Sequence, residues 1–125
     1  MWCGLSFEKM CLVHLAQIRK KLGISGVLTS VSFWRGEYDG RGAQVDLVID
    51  RNDNVVNLCE IKFASGSYLI DKKQHESMRN KRTAFAHSIR TRKAVQTTMI
   101  TTFGLKQNPY SAEITSEVTL DDLFA

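Results

Sequence analysis

Three charged side chains interrupt the most strand-like stretch of the chain, VDLVIDRNDNVVNLCEIKF from Val45 to Phe63: Asp46, Glu60 and Lys62. Two carboxylates and an ammonium on neighbouring β-segments are the parts needed for metal-assisted phosphate chemistry. Mg²⁺ takes hard oxygen ligands, commonly one or two carboxylates together with waters and substrate phosphate. Asp46 and Glu60 would supply the carboxylates, and the backbone carbonyl of Ile61 a further oxygen. Lys62 would neutralise charge on a phosphate undergoing hydrolysis or orient the attacking water. The competing reading is a salt bridge on a solvated sheet face. The apolar residues on either side of the charges weigh against it.

Whether the two acids meet depends on strand register. In an antiparallel pair, directly opposite residues point to the same face. If the loop is Asn52 to Asn54, Arg51 faces Val55 and Asp46 faces Glu60. If the loop is only Asn52-Asp53, Asp46 faces Cys59 and Glu60 turns to the other side. Val45, Leu47, Ile49, Cys59, Ile61 and Phe63 share one face only in the first register, which is therefore expected. Gln44, Asp46 and Val48 then lie with Leu58, Glu60 and Lys62 on the opposite face. Facing carboxylates destabilise a strand pair by up to about 1 kcal/mol, so a counter-charge is expected, from Lys62 in part and from a divalent cation more fully.

The elements that must hold these residues follow from pattern. Ser6 to Leu22 is expected to be a helix, with Cys11, Leu15, Ile18 and Leu22 as its buried stripe, Ser6 as N-cap and Gly23 as stop. Glu8 lies at the edge of that stripe, in the first turn. Gly26 to Tyr38 is rich in Val, Thr and aromatic residues and reads as a first strand, Asp39 to Gly42 as a turn, Ala43 to Asp50 as a second strand and Val55 to Phe63 as a third. Ile70 to Thr91 lacks Gly and Pro and reads as a long helix, rich in base. Lys93 to Phe103 is a strongly β-branched fourth strand, Ala112 to Val118 a short fifth, and TLDDLF a terminal helical turn capped by Thr119. Three strands joined by tight turns should be antiparallel neighbours, and a helical crossover should bring the fourth onto the same sheet. The expected class is α/β, a mixed sheet with helices packed on it in the order α-β-β-β-α-β-β.

The 125 residues suit one domain, 1–125, with one proline and no linker or internal repeat. A net charge of +4 leans weakly towards a polyanionic partner. Cys3, Cys11 and Cys59 form no Cys-x-x-Cys pair and no zinc spacing. Cys59 reads as a buried, reduced thiol, and the set points to a reducing compartment, the cytoplasm. No membrane helix and no signal peptide are expected. His14, His75 and His87 are scattered and read as structural; Trp34, Tyr38 and Tyr68 read as core or rim aromatics.

The order Asp, then Glu-x-Lys, in GAQVD and CEIKF resembles the PD-(D/E)XK nuclease superfamily, with its restriction-endonuclease-like fold. GAQVDLVIDRNDNVVNLCEIKF with the terminal VTLDDLF is similar to the C-terminal domain of bacterial archaeal-type ATPases, a likeness running from the Ser6 helix to Phe124. The resemblance implies that Asp46 and Glu60 bind Mg²⁺ or Mn²⁺, that the Ile61 carbonyl joins them, and that Lys62 assists hydrolysis of a DNA phosphodiester. Glu8 matches the acid that the first helix often adds, although the helix dipole alone also favours an acid there. Gln74 matches a glutamine of some members; the aromatic expected four residues on is Met78 here. The ATPase relatives carry a P-loop domain, and this chain has no G-x-x-x-x-G-K-[ST]. It is then either a fragment of such an ATPase, as Trp2 and Cys3 so near the start suggest, or a stand-alone relative, with a P-loop ATPase domain in cis or in trans as the implied partner.

Lys72, Lys73, Arg79 and Arg82 on the basic helix are the candidate DNA-phosphate contacts, against the plain alternative of a solvated helix face. Two functions are expected in competition: a Mg²⁺-dependent deoxyribonuclease using Asp46, Glu60 and Lys62, and a weakly active or inactive module that keeps the nuclease fold to bind DNA or a partner.

Overall fold

The computed structural model describes residues 4–125; Trp2 and Cys3 lie outside them. The N-terminal helical region is two pieces, α1 (Gly4–Val13) and α2 (Leu15–Lys21), rather than one helix. His14 leaves helical torsions at φ −108° and ψ 37°, yet its N–H still reaches the carbonyls of Met10 and Cys11. The buried stripe therefore keeps its phase across the break, and Cys11 and Ile18 are both fully buried. Gly23 ends α2 as its type predicts. At φ +73° it takes the left-handed conformation that glycine adopts without strain, its N–H bonds the Lys20 carbonyl, and that of Ile24 bonds the Arg19 carbonyl.

Three antiparallel strands follow: β1 (Thr29–Tyr38), β2 (Arg41–Arg51) and β3 (Val55–Lys62). Asp39 and Gly40, both at positive φ, make the first turn, the backbone that suits the right-handed twist of a hairpin. It is two residues shorter than DGRG, because Arg41 and Gly42 already pair with Tyr38 and Glu37. The second loop is Asn52 to Asn54, with Asn54 at φ +67° and the Arg51 guanidinium gripping both oxygens of Asp53 at 2.9 and 2.6 Å. Leu47 faces Cys59 and Asp50 faces Val56, the register that the apolar pattern called for.

The long helix α3 (Lys72–Ile89) begins on Asp71, whose carboxylate accepts from the Gln74 N–H at 2.8 Å. It ends on Arg90 in the left-handed region. It returns the chain to β4 (Ala94–Thr101), parallel to β3, and β5 (Ser116–Thr119) adds in parallel at the far edge. The last strand is shorter and later than Ala112–Val118, because Ser111–Glu113 first form a 3₁₀ turn, held where the Asn108 and Ser111 side chains each accept from the other's backbone N–H. A terminal 3₁₀ turn, Asp121–Phe124, is capped in reverse of expectation: Asp122 accepts from the N–H and hydroxyl of Thr119.

The architecture is α/β, a five-stranded mixed sheet in the order β1-β2-β3-β4-β5 with three helices. One core lies between the sheet and α1–α2, where Phe7, Cys11 and Ile18 meet Leu47, Ile49, Cys59 and Ile61. Another lies under α3, where Phe85 meets Trp34, Val48 and Leu58. β3 is covered on both faces, and its residues are buried in an almost unbroken run, Asn57 and Glu60 included. Buried Asn57 and Thr98 satisfy each other at 3.0 Å. β1 is an open edge, with Phe33 78% exposed.

Val45 is not where alternation would put it. Ser32 faces Val48 but Trp34 faces Val45, so Asp46 and Leu47 together oppose the single residue Phe33. This β-bulge resets the alternation. Val45 joins Val48 and Phe85 beneath α3, whereas Leu47, two residues on, packs in the opposite core.

Candidate functional site

Glu60 stands on the α3 face of β3, together with Leu58, as the strand period requires. It is 3% exposed. Lys81 Nζ donates to its Oε1 at 2.6 Å, while Oε2 is buried and has no hydrogen-bond partner among the described residues. Burial raises the Glu60 pKa above the ordinary carboxylate range. The charge and hydrogen bond of Lys81 oppose that rise, the Asp46 carboxylate adds to it, and Lys62 opposes it.

Lys62 follows on the same face. With Glu60, Lys81 and Gln74 it lines a cavity of about 40 Å³ under the first half of α3, floored by Met78 and Met99. That is room for a few waters or a small hydrated ion. Gln74 donates to the Tyr68 hydroxyl at the same cavity. Met78, at the position where an aromatic was the expected match, is buried against Ile70 and Met99.

Asp46 reaches this neighbourhood by a different route from the one expected. The ladder register extended by one residue would set it across from Glu60, but regular pairing stops at Leu47 and Cys59 because Asp46 belongs to the bulge. Its side chain does what a backbone carbonyl would have done. Oδ2 accepts from the Ile61 N–H at 3.1 Å. The carboxylate is thus anchored on the peptide between Glu60 and Lys62. In an extended strand, N–H and C=O of one residue point to the same edge, so the Ile61 carbonyl also points towards β2. Asp46 lines an open groove of about 330 Å³ beside α1, with Glu8, Leu12 and Leu47, rather than the cavity of Glu60 and Lys62. The expectation that both acids stand on one face is corrected accordingly, and the bulge is the reason.

Glu8 therefore shares a groove with Asp46 but not with Glu60. Of the candidate DNA contacts, Lys72, Lys73 and Arg79 are exposed on the outer side of α3. Arg82 is drawn inward, donating to Thr97 Oγ1 at 3.2 Å and lying 3.8 Å from Glu113. The histidines each pack on an aromatic ring: His14 on Phe124, His75 on Tyr110 with Glu113 3.3 Å from its Nδ1, and His87 on Tyr38. Cys11 and Cys59 are buried free thiols. Burial and the nearby Glu8 charge push Cys11 up to about 12, and burial raises Cys59 as well.

Lys81 is the site residue that the sequence reading passed over. It sits three residues after Met78 and four before Phe85, both buried, so helical periodicity alone puts it on the sheet-facing side of α3. A lysine in that stripe needs a buried acid, and Glu60 is there.

The oxygen donors lie on two sides of β3: the Asp46 carboxylate is tied to the Ile61 N–H beside the α1 groove, and Glu60, whose Oε2 is buried without a partner among the described residues, faces the cavity under α3. Among the described residues, no three His, Cys, Asp or Glu side chains come together as a ready ligand set. No helix among the described residues is long and apolar enough to cross a membrane.

No protein-family model and no curated protein sequence matches the chain. The fold is similar to a crystal structure of a protein of unknown function, AF1548, with a TM-score of 0.58 at 12% identity. The match covers 94% of this chain but 64% of that one, so the chain spans a little under two thirds of the length of its structural neighbour. At that identity, the two proteins have a fold in common.

Proposed function

We propose that the domain is a Mg²⁺- or Mn²⁺-dependent phosphodiesterase of the PD-(D/E)XK type, acting on DNA. The observation that carries this reading is the hydrogen bond from the Ile61 N–H to Asp46, which ties the first acid to the peptide between Glu60 and Lys62. The order of elements, with the first helical region taken as one unit, supports the restriction-endonuclease-like assignment. Asp46 and the Ile61 carbonyl would hold the ion, and Glu60 would join them by turning from the cavity under α3. When bound, the ion would supply charge stabilisation to a phosphate and acidify a water. Lys62, on the same face as Glu60, would hold the scissile phosphate or the attacking water by hydrogen bond and charge. The exposed Lys72, Lys73 and Arg79 would contact backbone phosphates without reading sequence. A P-loop ATPase domain, in cis or in trans, belongs to the same proposal, as does a cytoplasmic location.

Conversion of supercoiled plasmid to open circles in Mn²⁺ is the test. Wild type should nick, and Asp46→Ala, Glu60→Ala and Lys62→Ala should each lose most of that activity while keeping the wild-type circular dichroism. Nicking retained in all three variants would remove these residues from the chemistry.

One observation favours the second reading, a module that binds DNA or a partner without hydrolysing. Lys81 already neutralises Glu60 at 2.6 Å, so the carboxylate does not depend on an added cation. Salt-sensitive DNA binding with no nicking and no metal binding would select that reading.

A further inference from the structure

We infer that the open edge of β1 is a self-association surface, on which β1 of a second copy pairs antiparallel about a two-fold axis at Phe33. The edge would pair in this way whether or not the domain cleaves DNA. The Asn52 N–H bonds the Leu28 carbonyl at 2.9 Å, so Leu28 and the even-numbered residues after it turn their backbone groups towards β2. The odd-numbered residues turn theirs outward. Among the described residues, the backbone groups of Val31, Phe33 and Arg35 therefore face no neighbouring strand, along an edge of ten residues. Such an edge is a template for another strand, and β1 carries no proline or lysine to block it. Val31 lies across from Ile49, which puts the odd-numbered side chains on the α1–α2 face. There Val31 and Phe33 are exposed, in one groove with exposed Leu12.

The charges on that face fit a second copy and fix its register. With Phe33 opposite Phe33 of the second copy, Arg35 of the second copy lies across from Val31, over the groove that holds Glu8 and Asp46. Its stem would cover Val31 and Leu12 while its head reaches Glu8. Glu37 of the second copy lies across from Thr29, whose hydroxyl accepts from Arg19 Nη1 at 3.3 Å. Arg19 has no carboxylate partner among the described residues, and its Nε is buried without a partner of any kind. Both exposed charges of β1 thus meet an opposite charge, and the two-fold axis repeats each contact. Sliding the second strand by two residues spoils the match in either direction. One slide brings Arg35 beside Arg19, the other brings Glu37 beside Glu8, and like charges select against both.

Sedimentation equilibrium across the micromolar range tests this. Wild type should be a dimer, Phe33→Lys a monomer with wild-type circular dichroism, and Arg35→Glu a dimer weakened about tenfold or more. Cysteine substitution reads the register separately. In a Cys3→Ser background, Phe33→Cys should form an intermolecular disulfide on mild oxidation, because directly opposite hydrogen-bonded residues stand about 5.5 Å apart. Val31→Cys should not, because the two copies of that residue would stand about 13 Å apart along the strands. A monomeric wild type, or a dimer that Phe33→Lys leaves intact, overturns the surface. An Arg35→Glu dimer as tight as wild type, or a disulfide at Val31→Cys in place of Phe33→Cys, overturns the register and its charge pairing.

Discussion

Lys81 and Glu60 meet at 2.6 Å although they come from a helix and a strand separated by a loop and two turns of that helix. Each explains the other. The lysine would be misplaced on the buried side of α3 without the acid, and the acid would be an unneutralised charge in the middle of the sheet without the lysine. The pair still leaves Glu60 harder to ionise than an exposed glutamate, because burial outweighs what Lys81 returns.

That imbalance gives a pH dependence with a definite sign. A carboxyl whose pKa is raised on folding binds its proton more tightly in the folded state. Its stabilising contribution is complete below the unfolded pKa and is lost as pH rises through the folded one. Glu60→Gln has no such loss. The stability of Glu60→Gln relative to wild type should therefore increase as pH is raised from the ordinary carboxylate range towards neutrality. Urea unfolding of both proteins across that range checks it, and a constant or shrinking difference would contradict the burial argument.

Gly36 makes a separate claim on the α3 core. A Cβ added there would stand 2.6 Å from the Trp34 ring, and Trp34 in turn packs edge-on against Phe85 at 5.6 Å. Gly36→Ala should cost about 1–3 kcal/mol as the indole is pushed aside. In a Trp34→Leu background most of that cost should vanish. A thermodynamic cycle from chemical denaturation measures the coupling.

Asn54 fixes the register on which the site depends. At φ +67° it closes a three-residue loop that most side chains would strain. Asn54→Val should destabilise by about 1–2 kcal/mol, whereas Asn54→Gly should be tolerated. Equilibrium unfolding of the two variants separates the backbone requirement from any loss of side-chain contacts.

The thiols provide a test of the core between the sheet and α1–α2. Cys11 and Cys59 are buried and held protonated. In a Cys3→Ser background the native protein should react with a thiol reagent at mildly alkaline pH only as fast as it opens, and both thiols should react at once in denaturant. Rapid reaction of the native protein would place one of them at the surface.

The parts of this molecule that could be read from sequence are those fixed by local chemistry. Asp39-Gly40, Asn54 and Gly23 declare their turns because few residues tolerate those backbones, and the β2–β3 register follows from Leu47, Ile49, Cys59 and Ile61 together with the loop. The bulge could not be read in the same way. Val45, Leu47 and Ile49 alternate without a fault, and only the pairing with β1, where one residue stands opposite Asp46 and Leu47, moves Val45 to the other core. The break at His14 was hidden for a related reason, since it leaves the phase of Cys11 and Ile18 intact. Lys81 was legible in principle, since Met78, Lys81 and Phe85 fall on one helical face, but Lys72, Lys73, Arg79 and Arg82 around it give the whole helix a basic composition in which one inward lysine does not stand out.

The bulge has an architectural consequence. Because it sends Val45 and Leu47 to opposite cores, one short run of β2 is clamped from above and below at the point where Asp46 leaves the ladder. Neither layer can slide along the sheet without dragging that carboxylate with it, so the acid is held to position by packing on both faces as well as by its hydrogen bond to Ile61.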